Sequence, residues 1–327
     1  MKIPVFFTFD NNYVVPAAVA FFSLLNKANE NVFYEMHVLH SDITAENEKL
    51  LQDVVARFRN ASLTFRNTHG FLKDEWTNGN WEGHQNKNQF TLDTILPCFA
   101  SEFFPQYDKI IYSDVDIVVK DDISELWEID LTDKYLAAVR SPFLEYSPQE
   151  LSHLPPELYE KLKDSYFGGG IWVMNLKKIR ENNLTKKMLE IIHDDSIPKR
   201  WPDQDIINIA CENKTASLPL NYVGYPYLAD LMKKSDFTSH YSREELYDSL
   251  INMKIIHYAS LKPWNTKVPY GEEWWTIYHY LNLSGKDEKK IDSKSLKRQK
   301  KYKILLSVSI LINLLLPAVL LWGGGSR

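Results

Sequence analysis

Two short apolar runs that flank a pair of aspartates constrain the fold of this chain most strongly. Residues 110–112 and 117–119 form the runs, and Asp114 and Asp116 lie between them at a spacing of two. Side chains two residues apart on an extended chain point to the same face, so both carboxylates are expected together. A divalent cation can neutralise such a pair of carboxylates. The alternative interpretation is a surface turn in which both carboxylates are solvated. The pattern therefore predicts a buried strand that ends at a candidate metal site.

The chain before this segment alternates stretches typical of strands with stretches typical of helices. The expected strands lie at 3–9, 33–39 and 63–65, and the expected helices at 14–25 and 44–58. Thr44 is the expected N-cap of the second helix. A strand, a polar loop that begins here at Asp10, and a helix form the opening unit of an open α/β sheet, whose ligands bind at that end. No Gly-x-Gly-x-x-Gly sequence follows the first strand, which argues against a dinucleotide-binding fold.

The same alternation continues to residue 281. Residues 69–88 are polar and are expected to form a loop or lid. The other expected helices lie at 90–104 (broken near Pro97), 149–162, 177–193, 201–211 and 272–281, and the other strands at 135–139 and 255–258. Three glycines at 168–170 run into an apolar strand. They predict either a close approach of the backbone to a ligand or a neighbouring element, or simply a tight turn.

Charge and cysteine content exclude some classes of function. The formal net charge is −5, yet residues 286–303 contain nine basic and three acidic residues. An acidic body with a basic tail argues against a nucleic-acid partner for the body. The two cysteines, Cys98 and Cys211, lack the spacing of a metal site. They are expected to be reduced thiols in a reducing compartment.

The end of the chain is expected to contact a membrane. Residues 304–322 contain no charge, and as a helix they would extend about 28 Å, slightly less than a hydrocarbon core of about 30 Å. The preceding basic residues favour a spanning segment with a cytoplasmic amino end. A helix lying flat on the membrane or packed on the body is the alternative. We therefore expect a globular domain at 1–281, a basic spacer at 282–303 and a membrane-associated helix at 304–322.

Four sequence blocks together resemble the family-eight retaining glycosyltransferases, the group that holds glycogenin and the bacterial lipooligosaccharide galactosyltransferases. The blocks are residues 7–13 (FTFDNNY), 114–116 (DVD), 201–205 (WPDQD), and His257-Tyr258 followed by 262–264 (KPW). Each is modest alone, and the resemblance covers residues 3–280. It implies the α/β arrangement known as GT-A, an open mixed sheet flanked by helices with a nucleotide-sugar at the carboxyl ends of the strands.

The resemblance implies a site for a UDP-sugar donor. Asp10, Asn12 and Tyr13 would hold the uracil and ribose, Thr8 would line the base pocket, and Lys262 would add a cation at the diphosphate. The implied donor-binding set is Thr8, Asp10, Asn12, Tyr13, Asp114, Val115, Asp116 and Lys262.

The resemblance also implies a metal ion bound by Asp114, Asp116 and His257, with diphosphate oxygens completing the shell. Oxygen ligands with one imidazole suit Mn²⁺ better than Ca²⁺, and Mg²⁺ is a second option. The ion would neutralise the diphosphate leaving group. From the residues alone, a single histidine after an apolar run is more often structural.

Gln204 and Asp203 are the catalytic residues that the resemblance implies. Gln204 would lie beneath the anomeric carbon of the donor sugar, and Asp203 near the sugar hydroxyls; helix-start acids are the other interpretation of this block. Retention of configuration follows from front-face attack by the acceptor or from two inversions. Glutamine is a poor nucleophile, so front-face attack is favoured.

Several positions depart from the family pattern. Pro97 occupies the place of a usual arginine, and the glycines at 168–170 replace an Asn-Ala-Gly sequence. Ser141 lies near the place of a common aspartate, and Ser260 replaces a glycine. By the resemblance, the first three positions would line the hexose pocket, so these changes bear on which donor sugar binds. Lys87 or Arg140 are the candidates to replace the missing cation.

The sequence thus predicts a metal-dependent retaining hexosyltransferase with a DxD motif. It would move galactose or glucose from a UDP-sugar to a bacterial surface glycan or lipid-linked acceptor, in lipopolysaccharide biosynthesis, at the cytoplasmic face of the membrane. Two alternatives remain at this point: a sugar-nucleotide hydrolase or nucleotidyltransferase, and a non-catalytic glycan-binding relative.

Overall fold

A seven-stranded sheet organises the protein in a computed structural model that describes residues 1–81, 90–142, 151–234, 237 and 239–283. The strands are β1 Lys2–Thr8, β2 Phe33–His40, β3 Ala61–Asn67, β4 Lys109–Ser113, β5 Ile117–Val119, β6 Leu136–Arg140, β7 Phe167–Asn175, β8 Thr215–Leu218 and β9 Ile255–His257. The order in the main sheet is β3-β2-β1-β4-β7-β6-β8, and β5 and β9 form a second, two-stranded sheet.

The main sheet is mixed. β1 runs parallel to β2 and β4, β2 runs parallel to β3, and β6 runs parallel to β8. β7 is antiparallel to both β4 and β6. Every residue of β1 after Lys2 is buried, as expected for a parallel strand that is covered on both faces. The predicted open α/β sheet is therefore confirmed.

Eleven α-helices accompany these strands in the described parts of the chain. They are α1 Val14–Lys27, α2 Ala45–Val55, α3 Lys73–Asn78, α4 Ala100–Phe103, α5 Pro156–Leu162, α6 Leu176–Glu181, α7 Leu184–His193, α8 Pro202–Cys211, α9 Leu228–Leu231, α10 Arg243–Ile251 and α11 Gly271–Leu281. Short 3-10 helices lie at Asn11–Tyr13, Leu92–Phe99, Ser124–Glu128 and Leu220–Tyr222. Thr44 caps α2, and its hydroxyl accepts from the Asn47 amide at 3.3 Å.

Four expected elements differ from those observed. The expected helix at 177–193 is two helices, because Asn183 adopts a left-handed conformation (φ 51°) between α6 and α7. The expected helix at 149–162 begins only at Pro156, and most of residues 90–104 form a 3-10 helix that contains Pro97. The polar loop at 69–88 contains the short helix α3. Residues 82–88 of this loop, including Lys87, lie outside the described residues.

The chain divides into two units, Met1–Ala259 and Ser260–Arg327. A row of tilted aromatic rings crosses the core of the first unit: Phe6 to Tyr112 and Tyr112 to Trp172, each with ring centroids 5.1 Å apart. In the described part of the second unit, Trp274 of α11 stacks on Tyr278 at 5.3 Å. The predicted spacer and membrane helix at 282–322 lie outside the described residues, apart from 282 and 283. The described helices include none with the length and apolarity to cross a bilayer.

Candidate active site

Asp114, Asp116 and His257, here called the metal triad, converge at the carboxyl end of β4. His257 Nε2 lies 3.2 Å from Asp114 Oδ2 and 3.3 Å from Asp116 Oδ1. Neither aspartate lies in a strand: β4 ends at Ser113 and β5 begins at Ile117. The predicted strand that ends at the aspartates is confirmed, and the two carboxylates lie together as expected. The backbone between them differs from the expectation, because residues 115–116 form a bend rather than extended chain.

Pairing between distant strands brings the histidine to the aspartates. Ile117 of β5 pairs with His257 of β9 in the antiparallel ladder. The Tyr258 amide donates to the Asp116 carbonyl at 2.9 Å, and the Asp114 amide donates to the Gly170 carbonyl at 3.0 Å. The backbone on both sides of the metal triad is therefore fixed by the second sheet and by β7.

The donor set of the metal triad fits a divalent cation. Two carboxylates and one imidazole offer ligand atoms that all lie within 4.8 Å of one another. Burial opposes protonation of His257, but the charge and hydrogen bonds of Asp116 and Asp114 outweigh it and raise its pKa to about 9. The carboxylates therefore hold a positive charge at the imidazole, and a bound cation can supply that charge instead. Such a mixed oxygen and nitrogen set suits Mn²⁺ or Mg²⁺.

Gly170 and Gly169 let β7 pass close to the metal triad. Gly170 has a φ of +105°, and a Cβ there would lie 2.6 Å from His257 Nδ1. A Cβ at Gly169 would meet Gln204 Nε2 at 3.5 Å and Asp114 Oδ2 at 3.7 Å, which is ordinary contact. The predicted close approach of this backbone to a neighbouring element is confirmed, and the neighbour is the site itself.

The first turn of α8 carries the two predicted catalytic residues. Gln204 faces Gly169 from this turn, on the side where Asp114 lies. Asp203 is buried, and burial together with the charge of Asp114 raises its pKa to about 8. Asp203 is therefore mostly protonated at neutral pH and can donate a hydrogen bond to a hydroxyl group. The structure thus brings Gln204, Asp203 and Asp114 together.

Asp205 is a buried residue that holds this turn in place, whereas one of the two interpretations of the 201–205 block made it an ordinary helix-start acid. Its side chain is fully buried. Oδ2 accepts from the amides of Arg200 and Trp201 at 2.8 and 2.9 Å and lies 2.9 Å from His153 Nε2. Oδ1 accepts from the Tyr166 hydroxyl at 2.7 Å. Only the tertiary structure supplies His153 and Tyr166, so the sequence signal was limited to the 201–205 block.

The second end of the site is a turn at residues 10–13, called here the Asp10 turn. Asp10 Oδ1 accepts from the Asn12 amide at 2.9 Å, and Oδ2 accepts from Asn12 Nδ2 at 3.3 Å. The Asn11 amide donates to Asp42 at 2.8 Å, which ties the turn to the end of β2. Asn12 is exposed and Tyr13 is half-buried. The turn thus presents polar groups at the carboxyl edge of the sheet.

A hydrogen bond from β4 orients one carboxylate of the metal triad. The Tyr112 hydroxyl donates to Asp114 Oδ1 at 2.5 Å. Burial, followed by the charge of Asp114, raises the Tyr112 pKa, so the phenol remains a donor. Thr8 is the buried last residue of β1.

Asp93 lies at the same edge and was missed from the sequence. It is 2% exposed, and Oδ2 accepts from the Ser41 hydroxyl at 2.9 Å. Within the described residues, Oδ1 has no hydrogen-bond partner. Burial, with smaller contributions from the charges of Asp42 and Asp10, raises its pKa to about 6.

The remaining predicted residues have different surroundings. Val115 is buried between the two metal-triad aspartates. Lys262 lies in the second unit, where its carbonyl accepts from the amides of Asn265 and Thr266 at 3.0 Å. Of the two candidate replacement cations, Lys87 is not described, and Arg140 ends β6.

Similarity to solved structures places this fold in the GT-A class. The apo structure of the bifunctional glycosyltransferase WbbM matches with a TM-score of 0.69 and 24% identity, over 85% of this chain and 49% of that one. The galactosyltransferase LgtC, solved with donor and acceptor sugar analogues, matches with a TM-score of 0.67 and 21% identity, over 85% of this chain and 96% of that one. At these identities the likeness establishes the fold.

Glycosyl transferase family 8 matches residues 4–267, and this chain belongs to that family. A lipopolysaccharide 1,2-glucosyltransferase of Escherichia coli is 26% identical over 309 residues, covering 90% of this chain and 85% of the relative. A lipopolysaccharide 1,3-galactosyltransferase of Salmonella typhimurium is 23% identical over 276 residues, covering 81% and 74%. The predicted family and the prediction of a glycosyltransferase are confirmed.

Proposed function

We propose that this protein is a metal-dependent, retaining hexosyltransferase that moves galactose or glucose from a UDP-sugar to a lipopolysaccharide-type or lipid-linked glycan. The observation that carries the proposal is the position of Gln204 across Gly169 from Asp114, a ligand of the metal triad. The donor's anomeric carbon is bonded to an oxygen of its leaving diphosphate. A transferase therefore needs the ligands of its metal ion close to the residue that faces the sugar.

The metal triad would hold Mn²⁺ or Mg²⁺. The ion, when bound, neutralises charge on the departing diphosphate. Tyr112 keeps Asp114 oriented through its hydrogen bond, and Gly170 leaves room for the His257 ring. These contacts preorganise the ligands before the donor binds.

Gln204 and Asp203 would contact the donor sugar. Gln204 is uncharged and is a poor nucleophile, which favours front-face attack with a leaving phosphate oxygen taking the acceptor proton. The protonated Asp203 would donate to a sugar hydroxyl, as its raised pKa of about 8 allows. Asp205 is excluded from sugar contact in this arrangement because it is fully buried and bonded to His153 and Tyr166.

The Asp10 turn would bind the uridine. Asp10 and Asn12 offer acceptor and donor groups at the carboxyl edge of β1, and Tyr13 offers a half-buried ring for base stacking. Uracil N3–H is a donor that cytosine lacks, so an aspartate acceptor favours uridine. The role of Lys262 at the diphosphate stays a prediction from the resemblance, because Lys262 lies in the second unit.

The acceptor would be membrane-bound, and the protein would lie on the cytoplasmic face. Support comes from the basic residues at 286–303 and the uncharged residues at 304–322, and from the lipopolysaccharide glycosyltransferases among the relatives. Apolar insertion is not screened by salt, whereas attraction to anionic lipid is. Detergent should therefore release the full-length protein from membranes, and high salt should release it poorly. Release by salt alone would show that residues 304–322 do not insert and that the basic residues at 286–303 hold the protein by charge only.

A donor screen tests the proposed reaction. The full-length protein is incubated with Mn²⁺ and each UDP-sugar, with and without lipopolysaccharide core acceptor, and released UDP is measured. One UDP-hexose should give UDP release that rises strongly when acceptor is added. Release that is unchanged by acceptor would instead favour a sugar-nucleotide hydrolase, and no release with any donor would favour a non-catalytic glycan-binding relative.

A further inference from the structure

Arg140 places a positive charge beside the site, and two donor atoms of its guanidinium have no partner among the described residues. The residue ends β6 and pairs with Phe167 of β7. Its Nε and Nη2 atoms are buried and have no hydrogen-bond partner among the described residues. Guanidinium N–H groups are strong donors with fixed directions, and leaving charged donors unbonded away from water is unfavourable. This edge of the Arg140 guanidinium can therefore bind an anion.

Among the residues that the structure describes, the titratable groups around Arg140 do not supply that anion. The Tyr241 hydroxyl donates to the Arg140 carbonyl at 3.0 Å, so it contacts the backbone of Arg140 and not Nε or Nη2 of its guanidinium. Asp164 acts on Arg140 through charge alone and is 72% exposed. Burial, followed by the charge of Arg140, lowers the pKa of His240 to about 4, so this imidazole is neutral near pH 7.

The strand pairing places Arg140 next to the glycines that border the metal triad. Gly168 follows Phe167, the partner of Arg140, and a Cβ at Gly168 would lie 4.0 Å from Ser141 Cβ and 3.0 Å from the Tyr225 hydroxyl. Gly169, which faces Gln204, is one residue further on. Two residues of strand span about 7 Å and neighbouring strands lie about 5 Å apart, so the Arg140 backbone is about 8–9 Å from Gly169. Its side chain and one sugar ring can span that distance.

We propose that Arg140 forms an anion subsite for a carboxylate or phosphate substituent of a sugar bound beside Gly168, an inference that rests on the transferase function proposed above. Nε and Nη2 lie on one edge of the planar guanidinium, and their N–H bonds are parallel. This is the edge that binds a carboxylate or phosphate through two hydrogen bonds. The anion would belong to the acceptor glycan or to the donor sugar, and the two sources share the same chemistry.

A binding experiment tests the subsite without requiring turnover. The full-length protein, in chelator so that the metal triad is empty, is heated with glucuronate, glucose 6-phosphate or neutral glucose. Both anions should protect the wild type more than glucose does, and Arg140→Gln should weaken their apparent affinity about tenfold or more. Arg180→Gln is the matched control, because Arg180 contacts Tyr107 and Asp108 at the opposite end of β4. Equal protection of wild type and Arg140→Gln by the anions would overturn the proposal.

The stability of the variant provides a second readout. Because the Arg140 guanidinium is unpaired on its buried edge, Arg140→Gln should melt at the same temperature as the wild type or higher. A clearly lower melting temperature would assign Arg140 a structural partner and would contradict the subsite. Arg140→Lys keeps the charge without the two-pronged geometry, and it should recover only part of the anion affinity.

Substrate pairs then identify the source of the anion. With Mn²⁺, UDP-glucuronic acid is compared with UDP-glucose, and a phosphorylated acceptor saccharide with its unphosphorylated form. Arg140→Gln should lower kcat/KM about tenfold or more for the charged member of one pair while sparing the neutral member. The affected pair names the donor or the acceptor. Equal losses for charged and neutral substrates would refute the subsite, whereas absence of UDP release from the wild type would count against the transferase function instead.

Discussion

The metal triad and the Asp10 turn lie at the same edge of the sheet, yet they are built in different ways. The Asp10 turn is local: Asp10 caps it through the amide and side chain of Asn12, two residues away. The metal triad joins residues more than 140 positions apart, held by β5–β9 pairing and by a contact with Gly170. The first should therefore respond to substitutions within it, and the second to substitutions anywhere along the elements that hold His257.

Loss of a metal ligand should have the largest effect. Asp116→Ala removes one of the two carboxylates beside His257, so metal-dependent UDP release should fall about 100-fold or more. His257→Ala should be severely impaired as well. Asp133→Ala, at a highly exposed aspartate, is the control for mutagenesis itself. Full activity of Asp116→Ala in chelator would refute the metal triad.

Gly170→Ala tests whether the metal triad depends on the close approach of β7 to His257. An alanine there needs an unfavourable φ of +105° and places Cβ 2.6 Å from His257 Nδ1. The strain costs about 1–3 kcal/mol, so the protein should melt several degrees lower and bind Mn²⁺ more weakly. Gly169→Ala is the matched control, since its Cβ would meet neighbours only at 3.5 Å or more. Identical behaviour of the two variants would contradict the importance of the Gly170 contact.

Asp93 should make stability near the Asp10 turn depend on pH. Its folded-state pKa of about 6 exceeds the ordinary value of 3.8, so the folded protein retains a proton that the unfolded chain releases. Stability should therefore fall as pH rises from about 4 to 6, by up to about 3 kcal/mol.

Asp93→Asn should remove that dependence, giving higher stability than wild type above pH 6 and no gain at pH 4. Urea unfolding at several pH values measures the difference, with Asp133→Asn as the exposed control. Parallel pH curves for wild type and Asp93→Asn would show that Asp93 ionises normally.

The smallest expected effect belongs to the Asp10 turn. UDP should protect the wild type against heat better than CDP or ADP, because ligands that bind the folded state stabilise it. Asp10→Ala should cost about 1 kcal/mol through loss of the cap and weaken UDP binding about fivefold to tenfold. Thermal shift with the three nucleotides measures both. Equal protection by UDP, CDP and ADP in the wild type would exclude uridine recognition at this turn.

The sequence by itself determined the local parts of the protein. Strand and helix periodicity located most elements of the sheet, Thr44 was identified as a cap from residue type alone, and the aspartate pair indicated the candidate metal site. The prediction of one continuous helix at 177–193 was wrong. Asparagine tolerates a left-handed conformation, and nothing in the apolar pattern marks the break at Asn183.

Only the tertiary structure decided which distant groups meet. The sequence around His257 does not distinguish a candidate metal ligand from a structural histidine. Only the pairing of β9 with β5 brings His257 to the aspartates. Likewise, Asp205 and Asp93 are ordinary acids in the sequence, and Arg140 was only one of two candidate cations. Their burial and partners come from strands and helices that are far apart in the chain. The energy of a buried charge depends on those surroundings rather than on its neighbours in sequence, which is why the chemistry of this site could be assigned only once the chain was folded.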